Sequence, residues 1–108
     1  MLNCIYKING DLKHTKKEGL EMKKSIWKFP LVLADEQVVF LPIGAEVLSV
    51  QVQNGVPCLW AKVDTAAVKE ERVVQIFGTG HDASDAGDYI NTFQLHDGEL
   101  VFHAFMKN

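Results

Sequence analysis

No apolar run in this sequence approaches the roughly 20 residues that a membrane-spanning helix needs, and the N-terminus lacks the apolar centre of a signal peptide. A membrane is therefore not an expected partner. There is no basic stripe either. Eleven Lys and Arg stand against fourteen Asp and Glu, a net charge of −3, so duplex nucleic acid is not an expected partner. Cysteine is scarce: Cys4 and Cys58 lie far apart without metal-ligand spacing, which reads as two free thiols in a reducing cytosol. No helix of useful length is visible. What is present is an ordinary globular composition, 47% hydrophobic and 23% charged over 108 residues, enough for one domain with one modest core.

The most informative stretch is Val47 to Val63, two runs of alternating apolar residues hinged on Asn54-Gly55. Asn-Gly between such runs marks a two-residue hairpin, because both turn positions need φ > 0. That turn pairs Gln53 with Val56, Val52 with Pro57, Gln51 with Cys58, Val50 with Leu59 and Ser49 with Trp60. Because side chains alternate between faces, Leu48, Val50, Val52, Pro57, Leu59, Ala61 and Val63 are expected on one apolar face. Pro57 falls at a non-hydrogen-bonded position of the hairpin, where its missing N–H costs no ladder bond. A second hairpin, Tyr89 to Met106 on Asp97-Gly98, echoes the first: Ser49 matches Thr92, Gln51 matches Gln94 and Ala61 matches Ala104. Its expected core residues are Phe93, Leu95, Leu100, Phe102 and Ala104.

Further short apolar runs lie at Ile26–Phe29, Val38–Leu41 and Arg72–Phe77, with turn signals between them. Thr65 to Glu71 is polar and could form one helical turn capped by Asp64 or Thr65. About seven short strands indicate an all-β fold, a small antiparallel sandwich or partly open barrel with the two hairpins at its centre. Residues 1–21 carry a net charge of +1 against −4 for residues 22–108. They are expected to be either a leader translated from upstream sequence, with Met22 as the start, or one more strand and turn. Residues 22–108 form the single domain.

Candidate chemistry is sparse. The second face of the two hairpins carries Gln51, Cys58, Trp60, Thr92, Gln94 and His103, polar groups around an aromatic that could line a ligand pocket. The plainer alternative is that this face packs on a second sheet or subunit with its polar groups hydrogen-bonded. Gly78, Gly80, His81 and Asp82 open a small acidic loop. GTGHDA there superficially fits a dinucleotide fingerprint, but Asp82, Asp85 and Asp88 would repel a pyrophosphate and no helix follows. The same loop matches no calcium or zinc spacing, and Gly78 and Gly80 are expected to serve turns with φ > 0. Cys58 with His81 or His103 is a weak nucleophile pattern, with no acid placed to orient the base. No catalytic residue, metal or cofactor is assigned.

IWKFPL (26–31), DEQVVFLPIGAEVLSVQVQNGVPCLWA (35–61), FGTGH (77–81) and YINTFQLHDGELVFHAF (89–105) together resemble a family of short bacteriophage and prophage proteins, whose members begin near this Met22. The resemblance implies a phage or prophage origin and cytoplasmic expression in a bacterial host. It implies no activity, cofactor or catalytic residue. The functional expectation is accordingly an accessory protein that binds a host protein or a small host ligand, such as a signalling nucleotide, without catalysis. Uncapped strand edges add the expectation of a homo-oligomer. The rivals are a virion decoration protein and an enzyme using Cys58 or the His81 loop.

Overall fold

Seven antiparallel strands make up most of residues 23–107, the part of the chain that the computed structural model describes: β1 (Lys24–Pro30), β2 (Glu36–Pro42), β3 (Glu46–Gln53), β4 (Val56–Asp64), β5 (Lys69–Gly78), β6 (Asp88–Leu95) and β7 (Leu100–Lys107). The expectations for residues 1–21 lie outside the described residues. The strands form two open sheets, in the orders β1-β4-β3 and β2-β5-β7-β6, with no helix among the described residues and no closed barrel. The helical turn expected over 65–71 is a tight turn instead. Asp64 Oδ1 accepts from Ala66 N at 2.9 Å and Asp64 O from Ala67 N at 3.1 Å, while Lys69 to Glu71 already belong to β5.

Asn54 and Gly55 take φ of 53° and 80°, as a two-residue hairpin turn requires, and the five β3–β4 pairs from Gln53–Val56 to Ser49–Trp60 form as expected. The alternation then slips, because Val47 pairs with Ala61 and leaves Leu48 as the extra residue of a bulge. Leu48 is consequently 43% exposed, not core, and Val47 packs on the interior in its place. At Pro57 the carbonyl accepts from Leu31 N at 2.9 Å, which ties the end of β1 to the side of β4 that lacks a donor.

The second hairpin also keeps its expected register, from Leu95–Leu100 to Thr92–His103. Its connection has four residues, with positive φ at His96, Asp97 and Gly98. Leu100 lies just past this turn, at the hairpin tip, and is 41% exposed rather than core. Phe102 stacks on Phe93 with ring centroids 5.7 Å apart.

The two hairpins lie in different sheets, and their inward residues meet in one interior. Val50, Leu59, Ala61 and Val63 come from one sheet, and Leu41, Val74, Ile76 and Ala104 from the other, all nearly or fully inaccessible. At 25–30 cal/mol per Å² of apolar surface removed from water, this burial is the main stabilising term.

Side-chain amides that bond both backbone groups of one residue stitch one edge of the sandwich and pin the β1–β2 connection. Asn91 on β6 accepts from Val50 N and donates to Val50 O on β3, each at 2.7 Å. Gln37 on β2 does the same to Val32, at 3.0 and 2.7 Å. A primary amide has one acceptor and two donors, so it can satisfy both backbone groups of an edge residue at once.

Candidate functional site

Since the inward residues share one core, the alternate residues of the two sheets point away on opposite sides. The six candidates on the second face of the hairpins are therefore divided. Gln51, Cys58 and Trp60 lie on the outside of the three-stranded sheet, and Thr92, Gln94 and His103 on the outside of the four-stranded sheet. They do not line one pocket, and Cys58 forms no pair with His103.

The four-stranded face gathers the denser constellation. Tyr89 Oη lies 2.7 Å from Thr92 Oγ1, Thr92 Oγ1 lies 2.8 Å from His103 Nδ1, and His103 Nε2 lies 2.8 Å from Thr79 Oγ1. Thr79 donates its hydroxyl to Val101 O at 3.4 Å. The four side chains thus form one continuous hydrogen-bonded chain, whose donor direction follows the His103 tautomer. An aromatic run lies alongside, with Phe105 centred 5.8 Å from Phe77 and 5.6 Å from Tyr89. Gln94 leans the other way, its Oε1 close to Gly98 at the turn.

The FGTGH loop is built for this face. Gly80 takes φ of +91°, whereas Gly78 serves a different purpose from the expected turn. A Cβ on Gly78 would come within 3.0–3.1 Å of the His81 ring, so the glycine lets the imidazole lie against the backbone. Residues 79–87 then fold back over β5, held by Gln75, whose side chain is fully buried. Gln75 Nε2 donates to Asp85 O at 3.0 Å and to Glu36 Oε2 at 3.2 Å, and its Oε1 accepts from Gly87 N at 2.8 Å. Gly87 passes so close to Met106 O that no Cβ fits there.

Asp82 is occupied within its own loop, accepting from the hydroxyl and backbone N–H of Ser84. These bonds, the hydroxyl's first, hold its carboxyl below the ordinary range. A cleft of about 300 Å³ lined by Asp35, Glu36, Phe77, Asp82, Ser84 and Asp85 opens beside the loop. Among the described residues no group of three or more His, Cys, Asp or Glu is arranged to hold a metal ion.

On the opposite face, Cys58 is 2% exposed although it points outward from the sheet. Lys28 on β1 and Gln53 on β3 bond at 2.6 Å across the central strand, and the register carries that bond over Cys58. Burial pushes the thiol above its ordinary value, and the Lys28 charge only partly opposes the rise. The thiol is thus a small apolar filler, not a ready thiolate. Trp60 is half-buried beside it, with Lys28 Nζ 5.9 Å from the ring centroid.

Thr79, Tyr89, Gln75 and Asn91 escaped notice in the sequence. Gln75 and Asn91 carried a readable signal, since each is an amide within an apolar strand, where a side chain without partners would be costly. Tyr89 and Thr79 carried none, because their partners are set by β6–β7 pairing and by the path of the loop.

Residues 22–108 match the family model described as Domain of unknown function (DUF7352). No curated protein and no solved structure matches the chain.

Proposed function

The chain belongs to this domain-of-unknown-function family, which brings no activity with it, and we propose that the protein works by binding a host protein, not by catalysis. The observation that carries this reading is the Tyr89–Thr92–His103–Thr79 chain beside Phe105. Its hydrogen-bonding groups are held in place by one another and flanked by aromatic surface, the combination that makes strong anchors at protein interfaces. The described partners of the His103 ring are the hydroxyls of Thr79 and Thr92. The four strands of this sheet and the loops between them carry eight carboxylates against three cations. That charge favours a neutral or basic partner surface and disfavours a signalling nucleotide on this face. The resemblance to phage and prophage proteins supports an accessory role in the cytoplasm of a bacterial host.

The test is comparative capture from bacterial lysate with three baits: wild type, a Thr92→Val/His103→Phe variant, and a Lys28→Gln variant altered on the far face. A host protein should be retained by wild type and Lys28→Gln and lost from the double variant. Identical capture by all three would contradict the reading.

A further inference from the structure

We infer that the outer face of the three-stranded sheet binds single-stranded nucleic acid, stacking a base on Trp60 and holding phosphates with Lys24, Lys28 and Lys62. The chain as a whole is acidic, but its charge is segregated. Register places Lys24 and Lys28 of β1 on the same outward side as Trp60 and Lys62 of β4, and all three lysines are exposed. The carboxylates of this sheet are Glu46, across from Lys62, and Asp64, which lies across from Lys24 but is buried and caps the following turn. Lys28, directly across from Trp60, and Lys62, two residues along β4, thus flank one aromatic, with Lys24 four residues farther along β1, a grouping invisible while β1 had no assigned neighbour.

Details of the face fit a planar anionic ligand. Lys28 Nζ is held by a neutral amide, Gln53 Oε1 at 2.6 Å, so no carboxylate cancels its charge there. The ammonium sits over the Trp60 ring, where it can move to a phosphate while the ring takes a base. Lys62 lies two residues along β4 from Trp60, roughly 7 Å away at the usual strand rise, comparable to the step between successive phosphates of an extended strand. Ser49, across from Trp60, and Gln51 on β3 add a hydroxyl and an amide to the same face. A duplex hides its base faces and could use only the charge. An acidic peptide without aromatic side chains offers Trp60 no ring to stack on. A single strand uses both features.

The experiment is fluorescence anisotropy of a labelled oligouridylate and oligothymidylate against the full chain at low salt. Binding should weaken with salt with a log–log slope of about −2, the value for three phosphate contacts on a single strand. Trp60→Ala should weaken it about tenfold to a hundredfold, the loss of one stacked base, and Trp60→Phe should restore most of it. Lys28→Gln or Lys62→Gln should each make the slope shallower by about 0.7. In the Trp60 variants emission comes from Trp27, which packs against the core, and reports folding; far-UV circular dichroism does so for the lysine variants. The inference is overturned by absence of binding at low salt. Equal binding of a duplex or of polyglutamate would overturn it too, since charge alone would then suffice. So would self-association through this face that the oligonucleotide does not compete. None of these results bears on the four-stranded face.

Discussion

A thiol with almost no access to solvent on an outward-pointing side chain needs a roof, and Cys58 has one in the Lys28–Gln53 bond. In the folded protein Cys58 should alkylate far more slowly than an exposed thiol, and Lys28→Ala or Gln53→Ala should speed it severalfold. Peptide-resolved mass spectrometry keeps Cys4 out of the measurement; equal rates in wild type and both variants would contradict the roof. Glu36 and Lys107 offer a second test at this scale. The Lys107 hydrogen bond and then the Gln75 one hold the Glu36 carboxyl below its ordinary value, while the bond to Glu36 raises Lys107. A lowered carboxyl contributes stability above its ordinary pKa and loses it as pH falls through the lowered value. A raised lysine contributes below its ordinary pKa and loses it as pH rises through the raised value. Both groups are exposed, so the effect is small. Urea midpoints of wild type and Glu36→Gln should differ slightly at neutral pH and converge as pH falls below 4.5. A gap that persists in acid would contradict the assignment.

Among the strands, the decisive device is the Asn91 clasp that joins the edges of the two sheets. Asn91→Ala would leave both backbone groups of Val50, which is fully buried, without their partner. The expected cost is about 1–3 kcal/mol, with faster hydrogen exchange at the Val50 amide; Asn91→Asp should also destabilise, since it accepts from the N–H but repels the carbonyl. Unchanged exchange at Val50 in Asn91→Ala would contradict the clasp. This scale also shows why some of the fold could be read and some could not. Asn54-Gly55 and the alternation around it carry register locally, so the pairs from Gln53 to Ser49 were legible. The bulges at Leu48 and Ile90 add one residue without a distinctive residue type, and facing was lost at Leu48. The candidate residues were mostly recognisable by type, as with Thr92, His103 and His81. Their grouping was not, because it depends on which sheet each hairpin joins.

Taken whole, the molecule is a sandwich with two chemically opposite exteriors. One presents lysines around Trp60; the other presents the His103 chain among carboxylates. That separation leaves room for two partners at once, and it makes the location of contact the sharpest test of the proposed function. Hydrogen exchange should be measured on the full chain, alone and with the host protein it captures. The account predicts slowed exchange at residues 79–81, 89–92 and 101–105, with β1 and β4 unchanged. Protection confined to β1, β3 and β4, or no protection anywhere, would contradict it.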